Sequence, residues 1–69
     1  MKVSARNVLK AKVKKVEHGA VNSEITLQLP GGSEVVSVIT KTSAQNLDLK
    51  EGKDVYAIIK ASNVIIGTD

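Results

Sequence analysis

Ser4-Ala5-Arg6-Asn7 crowds a hydroxyl, a guanidinium and a carboxamide into four positions near the head of the chain. Two further polar groups match it in kind: Thr40, Thr42 and Ser43 in mid-chain, and Lys60 and Ser62 near the end. Guanidinium and ammonium groups only donate hydrogen bonds, and hydroxyls and carboxamides can do so as well. The target these groups have in common is a small anion rich in acceptor oxygens, because hydrogen bonds to an ionised partner are the strong ones. Each residue alone has an ordinary structural use, as a helix cap or a solvated side chain. Arg6 has Glu24 and Asp48 as candidate ion-pair partners. Catalytic chemistry is not indicated: there is no Cys, the one His (His18) stands beside Gly19 in an expected turn, and no two carboxylates are spaced as an acid and base. The chain reads as a binding protein and not an enzyme.

The elements that must position these groups are strands. Leu9, Ala11 and Val13 alternate with Lys10, Lys12 and Lys14, the period of a strand with one wet face. The alternation then slips, with Lys15 where an apolar residue is due and Val16 where a charge is due, which predicts a β-bulge near Lys14-Lys15. After a turn at His18-Gly19, residues 20–29 put Val21, Ser23, Ile25, Leu27 and Leu29 on one face. Pro30-Gly31-Gly32 predicts a hairpin, because Pro fixes φ and glycine accepts positive φ. The third strand, 33–40, carries apolar residues on both faces and is expected to be covered on both. Residues 44–47 form a short helical turn capped by Thr42 or Ser43. A fourth strand, 54–60, and a fifth, 64–66, are separated by Ala61-Ser62-Asn63. The expected fold is all-β, a five-stranded OB-like Greek-key barrel with a helical turn between strands 3 and 4. An SH3-like barrel is the nearest alternative.

Sixty-nine residues make one domain, spanning 1–69, with a core of marginal size. Small domains are supplemented by disulfides, a structural metal or self-association. With no Cys and one His, self-association remains. No charged segment leads into an apolar one at the start and no apolar run is long enough to span a bilayer, so a cytoplasmic protein without a membrane partner is expected. The formal charge of +3, ten Lys and Arg against seven Asp and Glu, mildly favours anionic partners. Lys10, Lys12, Lys14 and Lys15 could follow a phosphate backbone, which gives the alternative function, a small OB-fold binding single-stranded nucleic acid. That activity rests on aromatic stacking, worth about 1–3 kcal/mol per base, and Tyr56 is the only aromatic residue. Lysines of this kind also guard strand surfaces against edge-to-edge pairing, and nucleic acid is not the expected partner.

The run Ser4-Ala5-Arg6-Asn7, followed by Leu9-Lys10 and Val13, resembles the opening of the molbindins, small molybdate-binding proteins also called Mop proteins. The ending "YAIIKASNVIIG" is similar to the family's terminal strand pair, and Gly31-Gly32 and "NLDLKEG" also fit. The resemblance spans essentially the whole chain, and SARN is its most specific part. Val8 departs from it, since many members carry Gln there. The resemblance implies an OB-like barrel assembled into a homo-hexamer, a trimer of dimers, that binds molybdate or tungstate at subunit interfaces and needs no other cofactor or bare metal ion. It implies a site in which Ser4, Ala5 and Arg6 face Lys60, Ala61 and Ser62 and the Thr40, Thr42 and Ser43 segment across an interface. It implies a second oxyanion site near the threefold axes, placed here around Asn7, Gly19, Ala20 and Asn22.

Such a site would select by protonation and size. Molybdate is a dianion offering only acceptors, so a pocket of donors satisfies all four oxygens. Hydrogen phosphate brings a proton that would point at another donor, and a buried polar group left unpaired costs about 1–3 kcal/mol. Sulfate has the right charge but shorter bonds, so it would leave stretched hydrogen bonds. Tungstate passes both tests. The expected role is intracellular storage or homeostasis of the anion.

Overall fold

The computed structural model describes residues 1–69. In chain order the elements are β1 (Asn7–His18), β2 (Asn22–Gln28), β3 (Glu34–Thr40), α1 (Lys41–Asn46), β4 (Asp54–Ile59) and a 3-10 turn, η1 (Ala61–Asn63). The four strands form one antiparallel sheet in the order β3-β2-β1-β4. β1 is long enough to serve two neighbours. Asn7 to Lys12 pair with β4 and Lys12 to His18 pair with β2.

The predicted bulge is present where the alternation slips. The β1–β2 register shifts between Val13 and Lys15, leaving Lys14 without a partner across the ladder. A bulge bends its strand and raises the local twist, so the sheet curls and its inner face becomes concave. On the opposite side of β1 from β2, just past the Lys12–Asp54 pair, Val13 N–H donates to Lys53 O at 3.0 Å, and Val13 O accepts from Gly52 N–H at 2.8 Å. The segment between α1 and β4 is thereby stitched to the middle of β1.

Ala11 and Val13 of β1, Ile25 and Leu27 of β2, Ala57 of β4 and Ala44 of α1 make the core. Ser23 lies on the same inner face at 1% exposure, with its Oγ 2.6 Å from Nδ1 of His18, its cross-strand neighbour. That contact removes the penalty of burying a lone hydroxyl. Only seven of the 69 residues are buried, so one copy of the chain encloses a core too small to account for its apolar content.

Pro30-Gly31-Gly32 forms the hairpin, with φ +94° and +99° at the two glycines and Leu29 N–H donating to Ser33 O at 2.7 Å. These conformations explain why glycine stands there twice.

Two expectations are corrected. The helix begins at Lys41, so its cap is Thr40, not Thr42 or Ser43: Thr40 Oγ1 accepts from Ser43 N–H at 3.1 Å while its hydroxyl donates to Ser43 Oγ at 2.8 Å. Thr40 ends β3 in an extended conformation, φ −67° and ψ 149°, the backbone a cap requires, so one residue closes the strand and opens the helix. At the far end of α1, Lys53 Nζ reaches Leu47 O at 2.7 Å and Asp48 O at 3.2 Å and satisfies carbonyls the helix leaves open. The second correction is that the sheet has four strands, not five. Val64, Ile65 and Ile66 follow η1 with no ladder partner, at 52%, 93% and 87% exposure. The third strand is covered on its inner face, where Val35 and Ile39 pack against the core, whereas Val36 and Val38 remain exposed on the other.

Candidate oxyanion-binding site

The β1–β4 ladder decides which polar groups meet. Its last pair is Asn7 with Ile59, reinforced by Asn7 Nδ2 donating to Ile59 O at 3.2 Å. One step further out along the same two chains stand Arg6 and Lys60. The Asn7–Ile59 pair therefore brings the end of the Ser4–Asn7 run and the start of the Lys60–Ser62 run to the same end of the sheet. Antiparallel pairing of two strands far apart in sequence is the physical reason.

Neither cation has a counter-ion. The ion pairs of the chain are Lys12–Asp54 at 2.8 Å, Lys14–Glu34, Lys15–Glu17 at 3.1 Å and Lys50–Asp48 at 3.8 Å, none involving Arg6 or Lys60. The structural alternatives for Arg6 are thus not realised: Asp48 is taken by Lys50, and Glu24 lies across from Glu17 on β1. Two like charges next to the end of one ladder, with no ion pair to either, favour an anionic partner.

The third donor group sits at the end of β3. A groove runs between the sheet's two edge strands, and its lining includes Ile39 and Ile59, the residues preceding Thr40 and Lys60. Thr40 pairs with Asn22 at the His18 end of β1, whereas Ile59 pairs with Asn7 at the other end, so one chain holds the Thr40–Ser43 group and the Lys60 group at opposite ends of the sheet. Ser43 Oγ accepts from Thr40, which leaves its own proton to donate. In η1, Asn63 N–H donates to Lys60 O at 2.9 Å and Val64 N–H to Ala61 O at 3.3 Å, so the N–H groups of Ala61 and Ser62 open the turn and have no partner inside it.

The chain matches the TOBE domain over residues 3–66. It is 42% identical, over the full length of both chains, to a probable molybdenum-pterin-binding protein of Haemophilus influenzae. The chain belongs to the molbindin (Mop) family. Its fold agrees: MopII from Clostridium pasteurianum superposes with a TM-score of 0.91 at 37% identity, covering 97% of this chain and all of that one. The cytoplasmic molybdate-binding protein ModG, solved with molybdate bound, superposes with a TM-score of 0.95 at 51% identity; it covers all of this chain, which spans 49% of ModG.

Other predicted members of the site fall differently. Asn7 and the Gly19, Ala20 and Asn22 turn lie at opposite ends of β1, roughly 35 Å apart along a twelve-residue strand at about 3.3 Å per residue. One chain does not bring them together. The turn itself is tight, with Gly19 N–H donating to Asn22 O at 2.7 Å. On the lysine face, Lys12, Lys14 and Lys15 each have a carboxylate partner and Lys10 has none, and pairs between side chains this exposed are weak. The His18–Ser23 contact was not anticipated. Its signal was a hydroxyl on an otherwise apolar strand face. No helix is long and apolar enough to cross a membrane.

Proposed function

We propose that the chain binds molybdate, and equally tungstate, at sites completed between subunits of a homo-oligomer, and that it stores or buffers the anion in the cytoplasm without transforming it. The observation that supports this reading is the Asn7–Ile59 pair, which leaves Arg6 and Lys60 each one residue beyond the end of the β1–β4 ladder, neither of them in an ion pair. A dianion between them supplies the missing charge.

The remaining donors complete a tetrahedral shell. Ser4 Oγ and Ala5 N–H approach from one side of the ladder, Ala61 N–H and Ser62 from the other, and Thr40, Thr42 and Ser43 of a second subunit supply the rest. Charge-assisted hydrogen bonds contribute about 1.5–3 kcal/mol each, so five or six donors support a micromolar or tighter site after ordering losses of several kcal/mol. The second site, uniting Asn7 with the Gly19–Asn22 turn, requires two chains because one chain holds them apart. A homo-hexamer built as a trimer of dimers satisfies both requirements, with residues 1–69 acting as one domain. The names of the relatives mention a pterin, but a pterin ring asks for aromatic or apolar walls, and the residues grouped here are hydroxyls, cations and backbone N–H groups. The oxyanion alone fits them.

Native mass spectrometry and calorimetry with molybdate, tungstate, sulfate and phosphate test this reading. The expected result is a hexamer that takes up molybdate and tungstate in discrete steps and ignores the other two. A monomer indifferent to molybdate would overturn it.

A further inference from the structure

His18 and Ser23 face each other across the β1–β2 ladder, at the end of β1 remote from Asn7 and Ile59. Ser23 is buried and His18 is exposed, and the hydrogen bond of the imidazole is the 2.6 Å contact between Nδ1 and Ser23 Oγ. A hydroxyl both donates and accepts. Ser23 donates to Nδ1 of the neutral ring and accepts from Nδ1–H of the protonated one, so the ring gains a charge without changing its anchor. In both states Nε2 carries a proton that a ligand can accept.

His18 shares a surface pocket of about 380 Å³ with Gly19 and Asn22, two residues of the second oxyanion site. That site, as proposed above, is made of Asn7, Gly19, Ala20 and Asn22 and holds no cation. The charges around it oppose a dianion: Glu17 and Glu24 line the same pocket and pair with each other on the ladder. Lys15, 3.1 Å from Glu17, offsets one of them. Lys41 opens α1 with its N–H bonded to Val21 O at 2.8 Å but does not line the pocket, and β3 brings only the uncharged Val38. His18 is the one lining group that can become positive.

We propose that His18 is a ligand of the second oxyanion site and that this site fills only with the imidazole protonated, so that binding there takes up a proton. The proposal rests on the molybdate reading and divides its two classes of site by pH. Arginine and lysine stay charged between about pH 6 and 8, so the class built on Arg6 and Lys60 holds its affinity across that interval. Histidine changes charge within it, so the second class weakens as pH rises. By linkage, a bound anion must raise the proton affinity of His18 by the same factor that protonation raises anion affinity. A store built in this way releases part of its anion on alkalinisation and keeps the rest.

The chain has a single histidine, so the imidazole resonances in a proton NMR titration report His18 alone. The wild-type protein is titrated between about pH 6 and 8 with and without sodium molybdate. Molybdate uptake is measured by calorimetry at both ends of that interval, in buffers of different ionisation enthalpy. The expected result is a proton affinity of His18 raised at least about threefold by molybdate, and a class of sites that fills with proton uptake at the acid end and is lost at the alkaline end. His18→Gln should lose that class at the acid end and keep the other. A His18 titration unmoved by molybdate that calorimetry shows to be bound overturns the proposal and leaves the molybdate reading intact. So does a His18→Gln variant that binds as many anions as the wild type at the acid end. Absence of calorimetric uptake at either end removes the proposal together with that reading.

Discussion

Replacing Arg6 by Ala separates the binding role of this residue from any structural one, because the two roles predict opposite changes in the ligand-free protein. Arg6 makes no ion pair, and it and Lys60 each stand one residue beyond the Asn7–Ile59 pair that ends the ladder. At about 6 Å in a water-like dielectric, two unit charges repel by about 0.7 kcal/mol, less in salt. Arg6→Ala should therefore leave the ligand-free protein as stable as before or slightly more so. With molybdate bound the sign reverses, because a charge-assisted bond worth about 1.5–3 kcal/mol is lost, which is a fall in affinity of roughly 10- to 150-fold. Thermal melts with and without molybdate read both halves at once. The ligand-free melting temperature should hold or rise, and the stabilisation by molybdate should shrink by about 1.4 kcal/mol per site for each tenfold loss of affinity. Arg6→Lys should recover part of the loss, since it restores the charge without the planar fork. A lower ligand-free melting temperature with calorimetric affinity unchanged would refute the reasoning and return Arg6 to a structural role.

Three further outcomes rest on packing and backbone geometry. Ile25→Ala, at a side chain 2% exposed in the core, should cost about 2–5 kcal/mol, a large share of the stability of so small a domain; urea denaturation followed by circular dichroism would show it. Thr40→Ala removes the cap of α1 and should cost about 1 kcal/mol, whereas Thr40→Ser retains both contacts with Ser43 and should restore the urea midpoint. Gly19→Ala sets a Cβ 2.8 Å from Asn22 O, a backbone atom that cannot move aside without opening the turn; a loss of about 1–3 kcal/mol is expected in the same assay.

Periodicity made the strands legible, and even the bulge, because Lys15 and Val16 break the alternation at the point where the β1–β2 register slips. The ends of elements were harder to read. Thr40 reads as the end of a strand, which it is, and nothing in a single sequence says that the last residue of a strand will also cap the next helix. The segment 64–66 has the composition of a strand, but a strand exists only where an edge pairs with it, and in one chain none does. The polar groups were visible as types, and their target class followed from donor chemistry. Their meeting was not visible, because Asn7 and Ile59 become neighbours through a ladder that closes over a separation of 52 residues. Ser23 shows the converse: a buried hydroxyl is readable as an anomaly, but its answer lies across a strand pair at His18.

The stitching of Val13 to Gly52 and Lys53 has an evolutionary consequence. The two hydrogen bonds join main-chain atoms, and main-chain atoms do not depend on which side chains they carry. The stretch between α1 and β4 is therefore free to vary in residue type at exposed positions such as Lys50 and Glu51, but not in length. Adding or removing one residue would move Gly52 or Lys53 away from Val13 and take β4 out of register with the first half of β1. Among divergent descendants of this chain, substitutions should accumulate in that connection while insertions and deletions collect elsewhere.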